Sequence, residues 1–299
     1  MNIAVISGGN SDERLVSLRT GDAIAEACHQ LGYSASKFLL DTDSIDSIIN
    51  DLKNHDFVFI ALHGTFGEDG VIQSILSKNN IPFNGSDEDS SRNCFNKSAT
   101  KEIVMNQGVL SPSYYQTSSN TCNDHFDFNS EKYIVKPNSQ GSSVGFNIVN
   151  KLEDLNDAID IALDFDSSVL IEEFIDGREI TVPILGNESL PVIEIEPKSG
   201  VYDYKSKYTA GESKYICPAN LDKDNYQFVQ NCALSVHKML KCDVYSRVDF
   251  KFYNDNFYFL EINTLPGMTE TSLFPMAADK HGFSFKDIIN KIIKLSLEK

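Results

Sequence analysis

Strand and helix patterns alternate over the first 80 or so residues, and this alternation constrains the fold more than any other feature of the chain. Short apolar runs at Ile3 to Ser7, Lys37 to Leu40 and Phe57 to Leu62 are separated by a helical pattern that ends at Gly32. A further helix is predicted from Asp69 to Lys78. Alternating strands and helices build parallel sheets covered by helices. We therefore predict an α/β fold that opens with a parallel, doubly wound domain.

Two later stretches have the pattern of α+β units. The predicted fold class is therefore α/β, with a multidomain α+β part after the first domain. At 299 residues the chain can form two or three separate cores. Pro82, Gly85 and a polar run to Asn93 predict the first boundary. The predicted domains are residues 1–93, 94–184 and 185–299.

Composition excludes several classes of partner. With 41% hydrophobic and 23% charged residues, the chain has the balance of an ordered globular protein. A net charge of −17 repels nucleic-acid backbones and anionic membranes, so we expect neither as a partner. The six cysteines form no CxxC pair, which indicates structural thiols. No apolar run approaches the ~20 residues that span a bilayer, and no basic leader precedes the first strand, so we expect a cytoplasmic protein.

The most informative segment is a predicted hairpin near the carboxyl end, with strands Tyr245 to Phe252 and Phe257 to Ile262. Four polar residues share one face of it: Arg247, Asp249, Glu261 and Asn263. Two carboxylates and an amide oxygen suit Mg²⁺ that bridges nucleotide phosphates, and an arginine can neutralise a transferring phosphoryl group. An edge hairpin with a solvated polar face is an equally good interpretation of these residues alone.

Two glycine-containing segments supply backbone donors for anions. One is the turn at Gly267 followed by a helix that opens at Ser272 and Leu273, for which the alternative is a simple turn with a Ser cap. The other is the small-residue loop from Lys136 to Gly145, which can close over phosphates. It is not a Walker A loop, and taken by itself a flexible hairpin is the better interpretation.

Further candidate residues follow apolar strands. Glu13 lies in the crevice after the first strand, where it could hold a substrate ammonium group, and His63 ends the third strand. The strand from Val169 into Glu172 and Glu173 could pair with an adenine edge, with surface charges as the alternative. The aromatic and cationic run from Tyr202 to Tyr208 has the composition of a lid, or of a mobile surface loop.

Taken in order, seven segments resemble the D-alanine:D-alanine ligase family of the ATP-grasp superfamily: GGNSDE, ALHGTFGEDG, KPNSQGSSVG, LIEEF, YDYKSKY, SRVDF and LEINTLPGMT. They cover nearly the whole chain, and the SSVG and NTLPGMT strings discriminate best. The resemblance implies an ATP-grasp fold whose first domain binds substrate, and whose other two hold ATP between them. It also implies a homodimer and two Mg²⁺, with Mn²⁺ as a substitute.

The reaction implied is ligation of two D-alanines for peptidoglycan synthesis. The carboxylate of the first D-alanine attacks the γ-phosphate of ATP, and the amine of the second displaces phosphate from the resulting acyl phosphate. The matching motifs imply ATP contacts at Lys97, Lys136, Ser142, Glu172, Glu173, Phe174, Ile175, Glu179 and Lys207. They imply metal ligands at Asp249, Glu261 and Asn263.

The remaining roles implied by the resemblance concern the amino acids. Glu13, Ser142 and Tyr208 would form a hydrogen-bonded network, and Glu13 and His63 would bind the first D-alanine. Arg247 and the Gly267 N–H would stabilise the tetrahedral oxyanion. Ser272 and Leu273 would bind the second carboxylate.

The chain departs from the family pattern at Leu15 and Gln140, where we expect altered local pairing without loss of chemistry. The stretch 118–129 matches nothing in the pattern. Two rival functions stay open: another ATP-grasp ligase, including one that uses D-lactate, and a non-catalytic nucleotide-binding module. Tyr208 favours an amine acceptor, because family members that use D-lactate lack this tyrosine.

Overall fold

A computed structural model describes residues 1–119, 128, 130–209 and 211–299; the side chain of Tyr208 is not among the described parts. The first unit contains β1 (Asn2–Gly8), α1 (Arg14–Gln30), β2 (Ser34–Leu40), α2 (Ile49–Leu52), β3 (Phe57–Ile60) and α3 (Val71–Lys78). Its strands are parallel in the order β2-β1-β3, which confirms the predicted pattern. Residues Ile3 to Ile6 are fully buried, as expected of a strand covered on both faces.

Helix α3 begins two residues later than predicted. The carboxylate of Asp69 accepts hydrogen bonds from the N–H groups of Phe66 and Val71. Asp69 therefore holds the turn before the helix instead of belonging to it, in the manner of a cap.

The polar run to Asn93, which we used to predict the first domain boundary, is helical. It forms helix α4 (Glu88–Phe95), and helix α5 (Lys97–Met105) follows at once. Asp87 and Asn96 cap the two helices by accepting from the N–H groups of Ser90 and Ala99. Residue 93 thus lies within a helix, and the domain boundary placed there stays a prediction.

The central unit is an antiparallel sheet in the order β4-β7-β5-β6. Its elements are β4 (Tyr114–Thr117), β5 (Tyr133–Pro137), β6 (Asn147–Val149), a 3₁₀ turn (Leu152–Asp154), α6 (Leu155–Leu163) and β7 (Val169–Glu173). Strand β6 starts at Asn147, three residues later than predicted. The preceding loop delays it because Ser142, Ser143 and Gly145 have positive φ angles that a strand does not accommodate.

The third unit is built on a mainly antiparallel sheet in the order β11-β10-β8-β12-β13, with β9 beside β8. Its elements are β8 (Arg178–Leu185), β9 (Glu188–Ser189), β10 (Ile193–Pro197), α7 (Tyr204–Tyr208), β11 (Ser213–Ile216), α8 (Lys223–Met239), β12 (Tyr245–Tyr253), β13 (Asn256–Asn263), α9 (Leu273–His281) and α10 (Phe285–Leu297). The predicted hairpin is confirmed. Its tight turn has Asn254 and Asp255 at φ 48° and 57°, the pattern of a type I′ turn.

The run from Tyr202 to Tyr208, for which we expected a lid or a mobile surface loop, contains the short helix α7. Asp203 caps this helix by accepting from the Ser206 N–H, and strand β11 follows. Strand β8, which we assigned to the central unit, pairs with β10 and β12 of the third sheet. The predicted boundary at residue 184 falls inside this strand, and the domain limits remain predictions.

The first and third units share one hydrophobic core. Ile3 to Ile6 of β1 belong to the same buried cluster as Tyr245, Phe274 and Ile289. The central sheet has a separate core under α6. Within the described residues, no helix is long and apolar enough to cross a membrane. The described cysteines are free thiols, Cys217 and Cys232 being only half-buried, and Cys122 lies outside the described residues.

Candidate active site

Two adjoining cavities collect most of the predicted site residues. The larger, about 450 Å³, is lined among others by Glu13, His63, Ser142, Arg247, Asn263, Gly267, Ser272 and Leu273. The smaller, about 110 Å³, is lined among others by Lys136, Glu172, Glu173, Phe174, Ile175, Glu179 and Asp249. Lys97, Lys207 and Glu261 line both. The junction of the cavities is therefore the place where two ammonium groups meet a carboxylate.

The acidic pair of the hairpin lies at this junction. Asp249 is directly opposite Glu261 in the β12–β13 ladder, and Arg247 is opposite Asn263. Like charges in opposite positions of a ladder destabilise a sheet unless cations compensate them. Lys97 Nζ lies 3.4 Å from Glu261 Oε2. Burial acts to raise the pKa of Glu261, but the surrounding lysines outweigh it and lower the pKa to about 2, so this carboxylate is ionised.

Asp249 is already engaged with neighbouring donors. Arg247 donates to its two oxygens through Nε and Nη2, at 2.9 and 2.7 Å, and the Thr181 hydroxyl donates to Oδ1. The pKa of Arg247 is raised, because the charge of Asp249 outweighs the opposing effect of burial. A carboxylate has about four acceptor positions. One position on Asp249 is therefore left for a further partner.

The donor set fits Mg²⁺ that is shared with a phosphate. Asp249, Glu261 and Asn263 offer only hard oxygen atoms, although Asn263 Oδ1 also accepts from the Leu265 N–H at 2.8 Å. In the described part of the chain, no cluster of three or more His, Cys, Asp or Glu residues could hold a metal ion by itself. A divalent cation at this place would complete its coordination with water or with oxygen atoms of a nucleotide.

Two hydrogen bonds hold the small-residue loop beside the larger cavity. The Ser142 hydroxyl donates to the Glu13 carboxylate, and Lys97 Nζ donates to the Gln140 carbonyl at 2.6 Å. A Cβ atom on Gly141 would lie 2.6 Å from Glu13 Oε2, so a larger residue at this position would displace the Glu13 carboxylate. The Gln140 side chain donates to the Phe165 carbonyl at 3.0 Å, which accounts for the local pairing at this unusual position.

His63 is held between two side chains. Its Nδ1 lies 3.3 Å from Glu68 Oε1, and its Nε2 lies 3.2 Å from Thr20 Oγ1. Burial acts to lower the pKa of His63, but Glu68 and the charge of Glu13 outweigh it and raise the pKa overall. Glu68 lies five residues after His63, but the sequence alone did not predict that it contacts this histidine.

The turn before α9 leaves the start of the helix open to an anion. Ser272 occupies the N-cap position, but its side chain makes no capping hydrogen bond. Its Oγ instead accepts from the Thr269 N–H at 3.0 Å, so the interpretation of Ser272 as a simple cap is wrong. A Cβ on Gly267 would lie 3.1 Å from this Oγ. Backbone N–H groups in a helix's first turn have no partners within the helix and attract anions.

Acidic residues of the smaller cavity are paired with lysines or backbone groups. Glu179 Oε2 lies 2.8 Å from Lys251 Nζ, and Glu173 Oε1 accepts from the Ser113 N–H at 3.0 Å. Glu172 is only 2% exposed, so its interpretation as a surface charge is wrong. Its carboxylate lies 3.0 Å from Lys136 Nζ and 3.2 Å from Lys101 Nζ. The Phe174 N–H donates to the Lys132 carbonyl, so an adenine would pair with other backbone groups of this strand.

Sequence reasoning missed three residues that shape the site: Glu68, Lys101 and Thr181. The only available signal was that Lys101 follows Lys97 by one helical turn on α5. The predicted hydroxyl of Tyr208 lies outside the described side chains, so its place in the network stays a prediction.

Comparisons with known proteins agree with this architecture. The family models described as "D-ala D-ala ligase N-terminus" and "D-ala D-ala ligase C-terminus" match residues 41–86 and 102–294. The D-alanine–D-alanine ligase of Methylacidiphilum infernorum is 42% identical over 99% of this chain and 95% of its own length. That of Aquifex aeolicus is 42% identical over 98% of this chain and 100% of its own length.

Solved structures extend the likeness to the whole fold. The Bacillus anthracis D-alanine–D-alanine ligase complexed with ATP is 32% identical and superposes with a TM-score of 0.86, covering 100% of this chain and 98% of its own. The VanG D-Ala:D-Ser ligase of Enterococcus faecalis is 29% identical, with a TM-score of 0.84 and 99% of both chains covered. The three sheets and the two joined cavities thus define an enzyme of the ATP-grasp ligase class. Within it, the chain belongs to the D-alanine–D-alanine ligase family, as its motifs predicted.

Proposed function

We propose that the protein joins two D-alanines to D-alanyl-D-alanine, with release of ADP and phosphate, for the synthesis of peptidoglycan. The observation that carries this proposal is the junction of the two cavities, where Lys97, Lys207 and Glu261 face both. A nucleotide in the smaller cavity directs its phosphates toward this junction. An amino acid in the larger cavity then meets the terminal phosphate there.

In the first step the carboxylate of one D-alanine attacks the γ-phosphorus, the bond to ADP breaks, and an acyl phosphate forms. Lys97 and Lys207 offset the negative charge of the phosphates at this point. Mg²⁺ on Asp249, Glu261 and Asn263 would supply further charge neutralisation and orient the phosphates. Glu13, held by Ser142, binds the ammonium of this D-alanine.

In the second step the neutral amine of another D-alanine attacks the acyl carbon, phosphate leaves, and the nitrogen gives up a proton. Arg247 and the Gly267 N–H are placed to stabilise the oxyanion of the tetrahedral intermediate. Ser272 and the Leu273 N–H bind the carboxylate of the incoming D-alanine at the open start of α9.

The proposal predicts that MgATP turnover depends on D-alanine and yields ADP and dipeptide in equal amounts, because the acyl phosphate couples one product to the other. The measurement is ADP release and dipeptide formation with a panel of D- and L-amino acids. ADP release that is indifferent to every amino acid would favour the non-catalytic nucleotide-binding module instead.

The choice of acceptor is a separate matter, because a D-Ala:D-Ser ligase shares this fold. We expect Tyr208→Phe to keep a near-normal melting temperature but to lose efficiency with D-alanine as acceptor. Removing the hydroxyl leaves a polar partner short of one hydrogen bond, a loss of roughly 1–3 kcal/mol in a dry site. The variant should also gain measurable use of D-lactate as the pH falls and the competing amine becomes protonated.

Competition between D-alanine and D-lactate across a pH range is the measurement for this variant. An unchanged product ratio in Tyr208→Phe and the wild-type protein would show that Tyr208 does not decide specificity. If the wild-type protein itself prefers D-lactate to D-alanine as acceptor, the result would favour the rival function, a ligase that uses D-lactate.

Three finer points belong to the same proposal. We propose two Mg²⁺ per active site, with Mn²⁺ as a substitute, on the strength of the hard oxygen donors of the hairpin. We propose cytoplasmic residence because the reaction consumes ATP. A homodimer is proposed from family membership alone.

A further inference from the structure

Lys101 is a buried cation to which the reaction assigns no role. It lies on α5, one turn after Lys97, and its side chain is 0% exposed. Its Nζ lies 2.7 Å from Ser111 Oγ, and Ser111 in turn donates to the Phe259 carbonyl at 2.9 Å. This chain of hydrogen bonds fixes Lys101 against the third sheet, behind the wall of the smaller cavity.

Glu172 is clamped between Lys101 and a second lysine that faces the cavity. Lys101 Nζ lies 3.2 Å from Oε1, and Lys136 Nζ lies 3.0 Å from Oε2. Lys136 lines the smaller cavity, whereas Lys101 does not. Among the described residues, no donor makes a well-aligned hydrogen bond to Glu172 Oε1. Lys101 and Glu172 Oε1 therefore interact as an ion pair. Both lysines help lower the pKa of Glu172 against the effect of burial.

The three side chains carry one net positive charge. If Lys101 were absent, the carboxylate of Glu172 would be balanced by Lys136 alone, and that pair would be neutral. Burial lowers the pKa of Lys101 to about 8, so its charged form still prevails at neutral pH. With Lys101 in place, the charge of Lys136 is left for an anion in the cavity.

We propose that Lys101 is a positioning residue for the nucleotide: it neutralises Glu172 from behind, so that Lys136 can serve the phosphates. The inference rests on the proposed function only in that a nucleotide occupies the smaller cavity. Lys101 does not touch the nucleotide itself. It acts through Glu172, which separates it from Lys136.

The first test is Lys101→Met, which keeps much of the side-chain volume and removes the charge. We expect the Kd for MgADP, measured by calorimetry, and the KM for MgATP to rise about tenfold, the loss of one charge-assisted contact. The kcat at saturating MgATP should change much less. The control is Lys151→Met, which removes an exposed lysine that pairs with Glu153 and should leave both constants unchanged.

The second test is rescue by Lys101→Met combined with Glu172→Gln. This pair of changes removes one positive and one negative charge, so Lys136 again has a free charge, and the Kd for MgADP should return to that of Glu172→Gln alone. A double variant that binds MgADP tenfold more weakly than Glu172→Gln would overturn the proposal, as would normal binding by Lys101→Met. If Lys101→Met fails to fold, the comparison of the double variant with Glu172→Gln still decides the question.

These outcomes are separate from those of the proposed function. Calorimetry with MgADP needs no ligase reaction, so it tests Lys101 even if ADP release proves independent of D-alanine. Conversely, normal D-alanine-dependent turnover by the wild-type protein says nothing about Lys101.

Discussion

Glu261→Gln should slow D-alanine-dependent ADP release by about a hundredfold or more, because Glu261 is a proposed Mg²⁺ ligand and a catalytic metal contributes several kcal/mol. The change keeps the size of the side chain and removes its charge at the junction of the two cavities. The measurement is kcat at saturating Mg²⁺, MgATP and D-alanine. Near-normal turnover would show that the hairpin is not the metal site.

A matched control for this change is Glu270→Gln, since Glu270 is an exposed residue on the turn after the same hairpin. It should leave kcat unaltered.

Mild acid should not reproduce the effect of Glu261→Gln. The pKa of Glu261 falls from its ordinary 4.5 to about 2 in the folded chain. The stability that this ionised group contributes is therefore present above pH 4.5 and is lost only as the pH falls toward 2.

Arg247→Met should lower kcat by about a hundred- to a thousandfold, the range seen when one oxyanion donor is removed. The KM for D-alanine should change far less, because in the proposed role Arg247 stabilises charge that develops only during the reaction. Arg247→Lys should recover only part of the rate, since lysine keeps the charge but not the two-pronged contact with Asp249. Steady-state kinetics on both variants provides the measurement.

Arg178 offers a matched control for this second change. It also forms a two-pronged ion pair, with Glu194 at 2.6 Å, and it lines neither of the two cavities described above. Arg178→Met should therefore affect melting temperature and not kcat. A loss of rate equal to that of Arg247→Met would mean that any broken ion pair of this sheet disturbs the enzyme, and the oxyanion role would be withdrawn.

The sequence predicted elements well where local chemistry decides them. The parallel strands of the first sheet follow from apolar runs, and the β12–β13 hairpin follows from its Asn-Asp turn. The prediction failed where long-range packing decides. Helix α4 has a polar sequence, and its buried Cys94 packs in the core cluster of the third sheet. Strand β8 joins the third sheet through pairing with β12, some 60 positions later in the chain, and no local pattern encodes that.

The same distinction holds within the site. Asp249, Glu261 and the small-residue loop, all predicted from motifs, line the two adjoining cavities. The charge partners of these residues were harder to find. Thr181 reaches Asp249 from a neighbouring strand, and Lys101 reaches Glu172 from helix α5. Such contacts depend on how distant elements of the chain pack together, which one sequence does not reveal.

The core shared by the first and last parts of the chain has a consequence for synthesis on the ribosome. Phe274 and Ile289, from α9 and α10, belong to the cluster that buries β1, and the Tyr33 hydroxyl donates to Asn290 at 3.0 Å. The sheet that is translated first therefore lacks one wall of its core until the final helix has emerged. Its apolar face stays open during elongation, when chains are most exposed to aggregation. The buried cluster around the first sheet is thus complete only when α9 and α10 have been made.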